Sequence, residues 1–465
     1  MGHSFKRKVF YIPGYDPIHP RRYRELYRAE AAAQAAISGY DITLSAKTGP
    51  GGYGWLVDSE IDGRSTRAEF EVMLWSDLAR TSMRSGILAT YGQMLRTAYI
   101  YIASGTLWRL MQLRKGPVIA ALYPVVMLVA QAAVALALAY AAGAVLRLWH
   151  PGLFWLGMAV IPWVLMGFRR YDNRLFAYYL MHDYAYSAAA RGAHPRDLEA
   201  RLDEFAARVL AALRSDMDEV LLVGHSSRAH LAISLLADIE RSGAVQSGGP
   251  TLSFLSLGQV VPMVSFLPNA HGLRRDLKHM SAQRQITWVD VTAPGDGCTF
   301  ALCDPVAVTG VAPPDQKWPL VLSAAFSQTL SAEKWRSLKR RFFRLHFQYI
   351  CAFDRPGDYD YFQITAGALT LGERYKDRAP SPGKVTRAVS NTGGPAHEWA
   401  ICAAAAATCA AQTARAAGAG VFVALCQTVP ARFAFGATGQ TLPRLDGGVQ
   451  NPLLSQLSDQ STGAG

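Results

Sequence analysis

Cysteine is scarce in this 465-residue sequence, and its spacing fits neither a metal site nor a disulfide framework. The six cysteines stand at positions 298, 303, 351, 402, 409 and 426, and no two of them form a C-x-x-C pair. A zinc ribbon and a disulfide scaffold are therefore unsupported, and a reducing compartment is the simpler expectation. The histidines at 271 and 279 also lack metal-ligand spacing, and the glycine-rich stretch 48–52 lacks the lysine of a P-loop. We therefore predict neither a metal ion nor another cofactor.

Charged residues are also few: they make up 18% of the chain, whereas hydrophobic residues make up 50%, which excludes disorder over most of its length. Lysine and arginine nevertheless exceed aspartate and glutamate by 12. Such an excess of positive charge is typical of proteins that bind nucleic acid or an anionic membrane surface, and the positions of the basic residues decide between these partners. The apolar run Val9–Ile12 near the basic N-terminus is too short for a signal peptide, so we expect this end to stay in the cytoplasm.

Two long runs contain no charge at all: residues 116–146 form a run of 31 and residues 151–168 a run of 18. About 20 apolar residues cross a bilayer core as a helix, so the first run is long enough and the second lies near the lower limit. A buried helix pair in a soluble domain is the alternative, but two such runs separated by four residues are hard to bury in a domain of this size. We predict a transmembrane hairpin with helices at about 117–146 and 151–168.

Basic residues flank both ends of this hairpin, whereas its connector carries only Arg147 and a histidine. The flanking residues are Arg109, Arg114, Lys115, Arg169, Arg170 and Arg174. The positive-inside rule then places both flanks in the cytoplasm of a bacterial-type inner membrane. Contacts of these residues with anionic lipids account for part of the positive charge, so nucleic acid is not needed as a partner. The stretch 83–113 is expected either to be an interfacial helix or to cover the soluble domain.

Short β-branched and aromatic runs outside the hairpin predict strands at Val9–Ile12, Ile42–Ser45, Glu71–Trp75, Val220–Val223, Leu252–Leu257 and Ile286–Val291. A helix is predicted over Pro195–Leu213, where apolar residues recur every three or four positions. This alternation predicts an α/β fold with a mostly parallel central sheet and helices on both faces. The chain then divides into an N-terminal part of this domain (1–100), the membrane region (101–170), the C-terminal part of the domain (171–375) and an Ala- and Gly-rich tail (376–465). We expect the tail to be poorly ordered and assign it no function.

The segment from Asp218 to Ala232 has the pattern of a strand, a tight turn and a helix, with Gly224-His225-Ser226-Ser227 at the turn. This motif resembles the nucleophile elbow of the α/β-hydrolase superfamily of lipases and esterases, whose pattern is G-x-S-x-G. Arg228 stands where that family has its last glycine. A serine-rich turn that caps a helix is the alternative interpretation. The resemblance covers about residues 1–100 and 171–370, with the hairpin as an insertion.

The resemblance implies that Ser226 is the nucleophile and that the backbone N–H groups of Ser227 and Tyr15 form an oxyanion hole. Tyr15 follows the Pro13-Gly14 turn after the first predicted strand, which could equally be an ordinary turn.

In the family's chain order the acid follows the nucleophile and the histidine comes last. Asp296, on the loop after the last predicted strand, is the preferred acid, with Asp290 and Asp304 as alternatives. His346 is the preferred base because His397 falls in the tail. Alternatively, His346 is a core histidine whose hydrogen bond is satisfied and which has only a structural role.

Together these residues imply a membrane-anchored serine hydrolase that cleaves a small-molecule or lipid ester through an acyl-serine intermediate. A non-catalytic hydrolase-like membrane scaffold or assembly subunit and an acyltransferase with the same elbow are the alternatives. Arg228, in place of glycine, is expected either to overpack the turn or to swing toward the active-site mouth and pair with Asp16 or an anionic substrate. On either account Arg228→Gly leaves the protein at least as stable.

The topology can be tested with reporter fusions. A reporter active in the periplasm is expected to be active when fused at His150, in the connector, and a cytoplasmic reporter when fused near Gly192. The opposite pattern of activity would contradict the predicted orientation.

Overall fold

The computed structural model describes residues 4–14, 20–47, 49, 51–75, 86–245 and 248–389. These residues all belong to one compact unit. Most of the predicted tail, including His397, lies outside the described residues.

Within the described residues, eight strands form one sheet. They are β1 (Phe5–Ile12), β2 (Asp41–Ala46), β3 (Gly54–Ile61), β4 (Arg64–Val72), β5 (Glu219–His225), β6 (Thr251–Leu257), β7 (Thr287–Thr292) and β8 (Leu320–Ser323). Their order across the sheet is β2-β3-β4-β1-β5-β6-β7-β8. The strands from β4 to β8 in this order are parallel to one another, whereas β3 runs antiparallel to both of its neighbours. The predicted α/β class with a mostly parallel sheet is confirmed.

The α-helices of the described residues are named in chain order. They are α1 (Arg21–Ser38), α2 (Ile87–Ala103), α3 (Thr106–Leu113), α4 (Lys115–Leu146), α5 (Val160–Arg170), α6 (Asp172–Leu175), α7 (Ala177–Ala189), α8 (Arg196–Leu213), α9 (Ala229–Arg241), α10 (Pro262–Ser265), α11 (His271–Ala282), α12 (Pro305–Thr309), α13 (Phe326–Thr329), α14 (Ala332–Leu338), α15 (Phe342–His346), α16 (Tyr361–Ala366) and α17 (Leu371–Arg374). Short 3-10 helices cover Pro151–Ala159, Ser226–Arg228 and Phe347–Ile350.

The sheet is covered on both faces, and β5 lies at its centre with every residue buried. Side chains alternate between the two faces of a strand. Leu221 and Val223 accordingly join an apolar cluster that includes residues of α1 and α16, while Val220 and Leu222 join a second cluster with α8 and α9. A strand buried on both faces is apolar throughout, which is why the sequence signal for β5 is strong.

The sequence signal is weaker for β3, β4 and β8. β3 and β4 form a hairpin through Asp62-Gly63 and carry several exposed polar residues, so only the end of β4, from Glu71, was predicted. β8 has four residues and is too short to be recognised by alternation. Residues 376–389, placed in the tail, also contact the domain: the backbone N–H of Ser381 donates to Val321 and that of Val385 donates to Leu302. The tail boundary predicted at 376 was therefore wrong for this segment.

Two helical segments are long and apolar enough to cross a membrane. α4 has 32 residues with a mean hydropathy of 2.2 over its most apolar stretch, and Pro151–Arg170 has 20 residues with a value of 1.6. Only 22% and 6% of these stretches are buried, whereas the core helix of a soluble protein is mostly buried. The second segment begins as a 3-10 helix over Pro151–Ala159 and continues as α5.

The stretch predicted as interfacial forms the two helices α2 and α3, which are separated at Ser104-Gly105. Met94 and Ile100 on α2 and Leu110 on α3 are buried against the domain. On the other side Leu88 is 86% exposed and Trp108 is 72% exposed. The stretch therefore covers the domain, and its outer side carries exposed apolar side chains.

Candidate active site

Ser226 lies at the turn between β5 and α9, where the backbone has a left-handed conformation with φ of 61°. Few residues other than glycine adopt this conformation, and it is found at functional turns. The turn brings α9 close to the strand, because a Cβ on Gly224 would lie 3.1 Å from the Cα of Ala229 and 3.1 Å from the Cβ of Ala232. Only glycine fits there without displacing the helix. The helix-capping alternative is not observed, since α9 begins after Arg228 and the hydroxyl of Ser226 contacts His346.

A chain of hydrogen bonds joins the serine to a histidine and a carboxylate. The Oγ of Ser226 lies 2.7 Å from Nε2 of His346, and Nδ1 of the same ring lies 2.7 Å from Oδ2 of Asp296. Because a carboxylate accepts, Nδ1 donates to Asp296 and Nε2 accepts from the serine hydroxyl. His346 is 7% exposed and Asp296 is 2% exposed, so both side chains are buried. The structure thus brings together the three residues that the resemblance selected.

The other two carboxylates considered for the acid have different partners. Asp304 caps α12 by accepting from the backbone N–H groups of Val306 and Ala307, and it forms an ion pair with Lys384 at 2.9 Å. Asp290 is fully buried in β7, where it accepts a hydrogen bond from Ser256, and burial raises its pKa to about 7. Asp296, by contrast, follows β7 on a loop, and its second oxygen accepts from the backbone N–H of Cys298 at 2.8 Å. This bond fixes the carboxylate toward His346.

His225, the residue before the serine, supports the ring of His346 from one side. Its ring stacks on that of His346 with centroids 5.2 Å apart and an interplanar angle of 18°. Its Nε2 lies 3.4 Å from the backbone oxygen of His346 and therefore donates, while Nδ1 accepts from the hydroxyl of Tyr11 at 2.9 Å. Burial, helped by the neighbouring His346, lowers the pKa of His225 to about 3. An uncharged ring thus packs beside His346, a contact that the sequence did not reveal.

Arg228 is buried behind the turn, which corrects both expectations for this residue. Its guanidinium donates to Asp183 on α7 at 2.7 Å and to Ser187 at 3.3 Å, and it lies 4.2 Å from the ring centre of Trp75. The side chain therefore neither overpacks the strand-helix crossing nor reaches the mouth of the site. Burial raises the pKa of Asp183, an effect that Arg228 and the hydroxyl of Ser227 oppose. The expected partner Asp16 lies outside the described residues.

A cavity of about 1100 Å³ opens beside Ser226. Ser227, Gly14 and His346 line it together with residues of α1, α4, α7 and α15. Of the two predicted oxyanion donors, Ser227 therefore borders the cavity, whereas Tyr15 lies outside the described residues. The sequence did not predict that α4 and α7 line the cavity, because an apolar helical pattern does not indicate which element the helix packs against.

Asp296, Cys298 and His346 also place potential metal-ligand atoms within 4.8 Å of one another. A thiol must lose its proton to bind a metal. Burial, reinforced by the neighbouring Asp296, raises the pKa of the Cys298 thiol, and Nδ1 of His346 is engaged by Asp296. The arrangement therefore favours the hydrogen-bonded chain over a metal ion.

The chain matches no protein-family model, no curated protein and no solved structure. Its function is accordingly argued from the site itself.

The buried pair between Arg228 and Asp183 predicts the opposite of the stability effect expected from the sequence. Arg228→Gly leaves the Asp183 carboxylate buried without its cation, so the free energy of unfolding should fall by about 3–5 kcal/mol. Replacing both partners by apolar residues, Arg228→Met with Asp183→Leu, should recover most of this loss. Urea-induced unfolding measures both effects, and a glycine variant as stable as the wild type would contradict the assignment.

The low pKa of His225 predicts a pH dependence of stability. Between about pH 6.5 and pH 3 the unfolded state binds a proton on this residue that the folded state does not, so stability falls as the pH falls through this window. His225→Gln should remove up to about 1.4 kcal/mol per pH unit from the slope, while the slope due to other buried histidines remains. Unfolding measured between pH 4 and pH 6 tests this, and equal slopes in variant and wild type would refute it.

Proposed function

We propose that this chain is a membrane-anchored serine hydrolase of the α/β-hydrolase type, which cleaves carboxylic esters through an acyl-serine intermediate. The observation that carries the proposal is the hydrogen-bonded chain from Ser226 through His346 to Asp296. These three residues follow the order nucleophile, acid, histidine, and the serine stands on a strained strand-to-helix turn, as in that superfamily.

The position of the site in the sheet supports the same proposal. Ser226 follows β5 and Asp296 follows β7, so both lie beyond the carboxyl ends of parallel strands. Ligands of open α/β sheets bind at this edge. Gly14 follows β1, the neighbour of β5, and a Cβ there would lie 3.3 Å from the Cβ of Ser226. The backbone after β1 therefore passes directly beside the serine, where the family has its second oxyanion donor.

In the proposed reaction, Nε2 of His346 takes the proton of Ser226 as Oγ attacks the ester carbonyl carbon. The carbonyl oxygen becomes an oxyanion, for which the N–H of Ser227 and that of Tyr15 are the proposed donors. His346 then gives its proton to the leaving alcohol, and the acyl group remains on Oγ. Water, deprotonated by His346, attacks the acyl-serine, the bond from the acyl carbon to Oγ breaks, and His346 returns the proton to Oγ as the carboxylic acid leaves. Asp296 holds the ring in the required tautomer and stabilises its protonated form.

The environment of His346 suits this role. The imidazolium formed during the reaction faces the carboxylate of Asp296 on one side and the neutral ring of His225 on the other. Because the pKa of His225 is about 3, this neighbour adds no positive charge at neutral pH. The protonated intermediate is therefore stabilised by one anion without repulsion from the stacked ring.

The membrane anchor rests on α4 and Pro151–Arg170 together with their flanks. Both segments are apolar and largely uncovered by the rest of the chain. Arg114 precedes α4, Lys115 is its first residue, and Arg169 and Arg170 end α5, which supports a hairpin with both flanks in the cytoplasm.

Labelling with a fluorophosphonate tests the reaction class, because this reagent modifies an activated serine. The wild-type protein should be labelled and Ser226→Ala should not be. Ser234→Ala provides the control, since Ser234 is a buried serine of α9 away from the hydrogen-bonded chain. Folded protein without labelling at Ser226 would indicate a non-catalytic scaffold. Labelled protein that moves acyl groups to added alcohols faster than to water would indicate an acyltransferase.

A further inference from the structure

The cavity beside Ser226 shares a wall with the apolar helix α4. Pro117, Ala120 and Ala121, in the first two turns of this helix, line the same cavity as the serine. The helix continues to Leu146 without a charged residue after Lys115. A helix proposed to cross the membrane therefore forms part of the space in which the substrate binds.

α4 is also fixed against the loop that carries Asp296. A Cβ on Gly116 would lie 3.2 Å from the carbonyl oxygen of Gly297, the residue after Asp296. Just before the helix, Nε of Arg114 donates to the carbonyl oxygen of Ala301 at 3.1 Å. The helix can approach the loop this closely because residue 116 is glycine. The proposed span thus begins beside the acid of the site.

This contact sets the depth of the cavity relative to a bilayer. The uncharged run starts at Gly116, and a helix rises 1.5 Å per residue, so Ala121 lies about 7.5 Å further along the span. The ester groups of membrane lipids lie at the boundary between headgroups and hydrocarbon. An ester at this boundary needs to move only a short distance to reach Ser226, and its acyl chain can remain beside an apolar helix throughout.

The size of the cavity and its wall along α4 suit a long acyl chain, whereas charged side chains such as Arg22, Glu25 and Lys334 line the side formed by α1 and α14. Its volume of about 1100 Å³ is at the upper end for small-molecule sites. Phe176 and Tyr179 near the start of α7 and Met263 add apolar surface, and the small side chains of Ala120 and Ala121 leave room along α4.

We infer, on the basis of the proposed serine hydrolase, that the substrate is a long-chain acyl ester drawn from the bilayer, with its acyl chain against the first turns of α4. The acyl carbon forms a bond to Oγ of Ser226 as its bond to the alcohol oxygen breaks, and the alcohol leaves with the proton from His346. Water then releases the long-chain acid, which can return to the bilayer. No co-reactant other than water is needed.

The test uses the full-length protein in phosphatidylcholine vesicles with two p-nitrophenyl esters, the water-soluble butyrate and the membrane-partitioned palmitate. Ala121→Phe fills the cavity along α4. It should lower kcat/KM for the palmitate by about tenfold or more, which corresponds to the loss of contact with about two methylene groups. Hydrolysis of the butyrate, whose short chain makes fewer contacts along α4, should fall less than hydrolysis of the palmitate. Ala133→Phe is the matched control, because it makes the same change at an exposed position of α4 outside the cavity and should alter neither rate.

The possible outcomes separate this inference from the proposed function. If wild-type protein cleaves the butyrate but not the palmitate, or if Ala121→Phe reduces both rates equally while Ser226 is still labelled by a small fluorophosphonate, the acyl site along α4 is overturned and the hydrolase stands. If neither ester is cleaved and Ser226 is not labelled, the proposed function fails, and the inference fails with it. Selective loss of palmitate hydrolysis in Ala121→Phe alone supports both.

Discussion

The left-handed backbone of Ser226 is the constraint on which the candidate site depends. A residue with a side chain in this conformation costs about 1–2 kcal/mol, so the surrounding structure must hold it there. Here β5 is buried between β1 and β6, and α9 packs over Gly224 so closely that a Cβ there would lie 3.1 Å from both Ala229 and Ala232. The turn directs the hydroxyl away from its own helix and toward His346. The strain is therefore balanced by the central packing of the sheet.

Much of this arrangement could be predicted because its signals are local. A buried strand followed by glycine, serine and an apolar helix is visible in one stretch of sequence, and Asp296 could be preferred because it follows a strand on a loop. The surroundings of Arg228 could not be predicted in the same way. Its partner Asp183 stands 45 residues earlier, on α7, which follows the hairpin. No pattern in the sequence indicates that α7 packs against the turn that carries Arg228. The contacts of His225 could not be predicted either, because Tyr11 and His346 stand 214 and 121 positions away in the sequence.

The apolar hairpin is an insertion in the α/β domain by sequence, but in space it is integrated with the site. The segment after it, α7, supplies Asp183 behind the serine turn and Tyr179 in the cavity, while the hairpin itself begins at Gly116 against Gly297. A truncated chain without the hairpin would therefore lose part of the walls of the cavity and the connection that holds α7 in place. Asp183 of α7 and Arg228, each costly to bury alone, thus form a buried pair next to the serine turn.

The position of β1 has a consequence for how the chain reaches its folded state. β1 pairs with β4 on one side and with β5 on the other, and its ion pair from Arg7 to Glu219 joins residues 212 positions apart. During synthesis the first four strands and the two apolar helices leave the ribosome before β5 does. Until β5 arrives, one edge of β1 exposes both unpaired backbone groups and the apolar residues Val9–Ile12, a state prone to aggregation. Insertion of the hairpin into a membrane during this interval would tether the unfinished sheet and keep its open edge apart from other nascent chains.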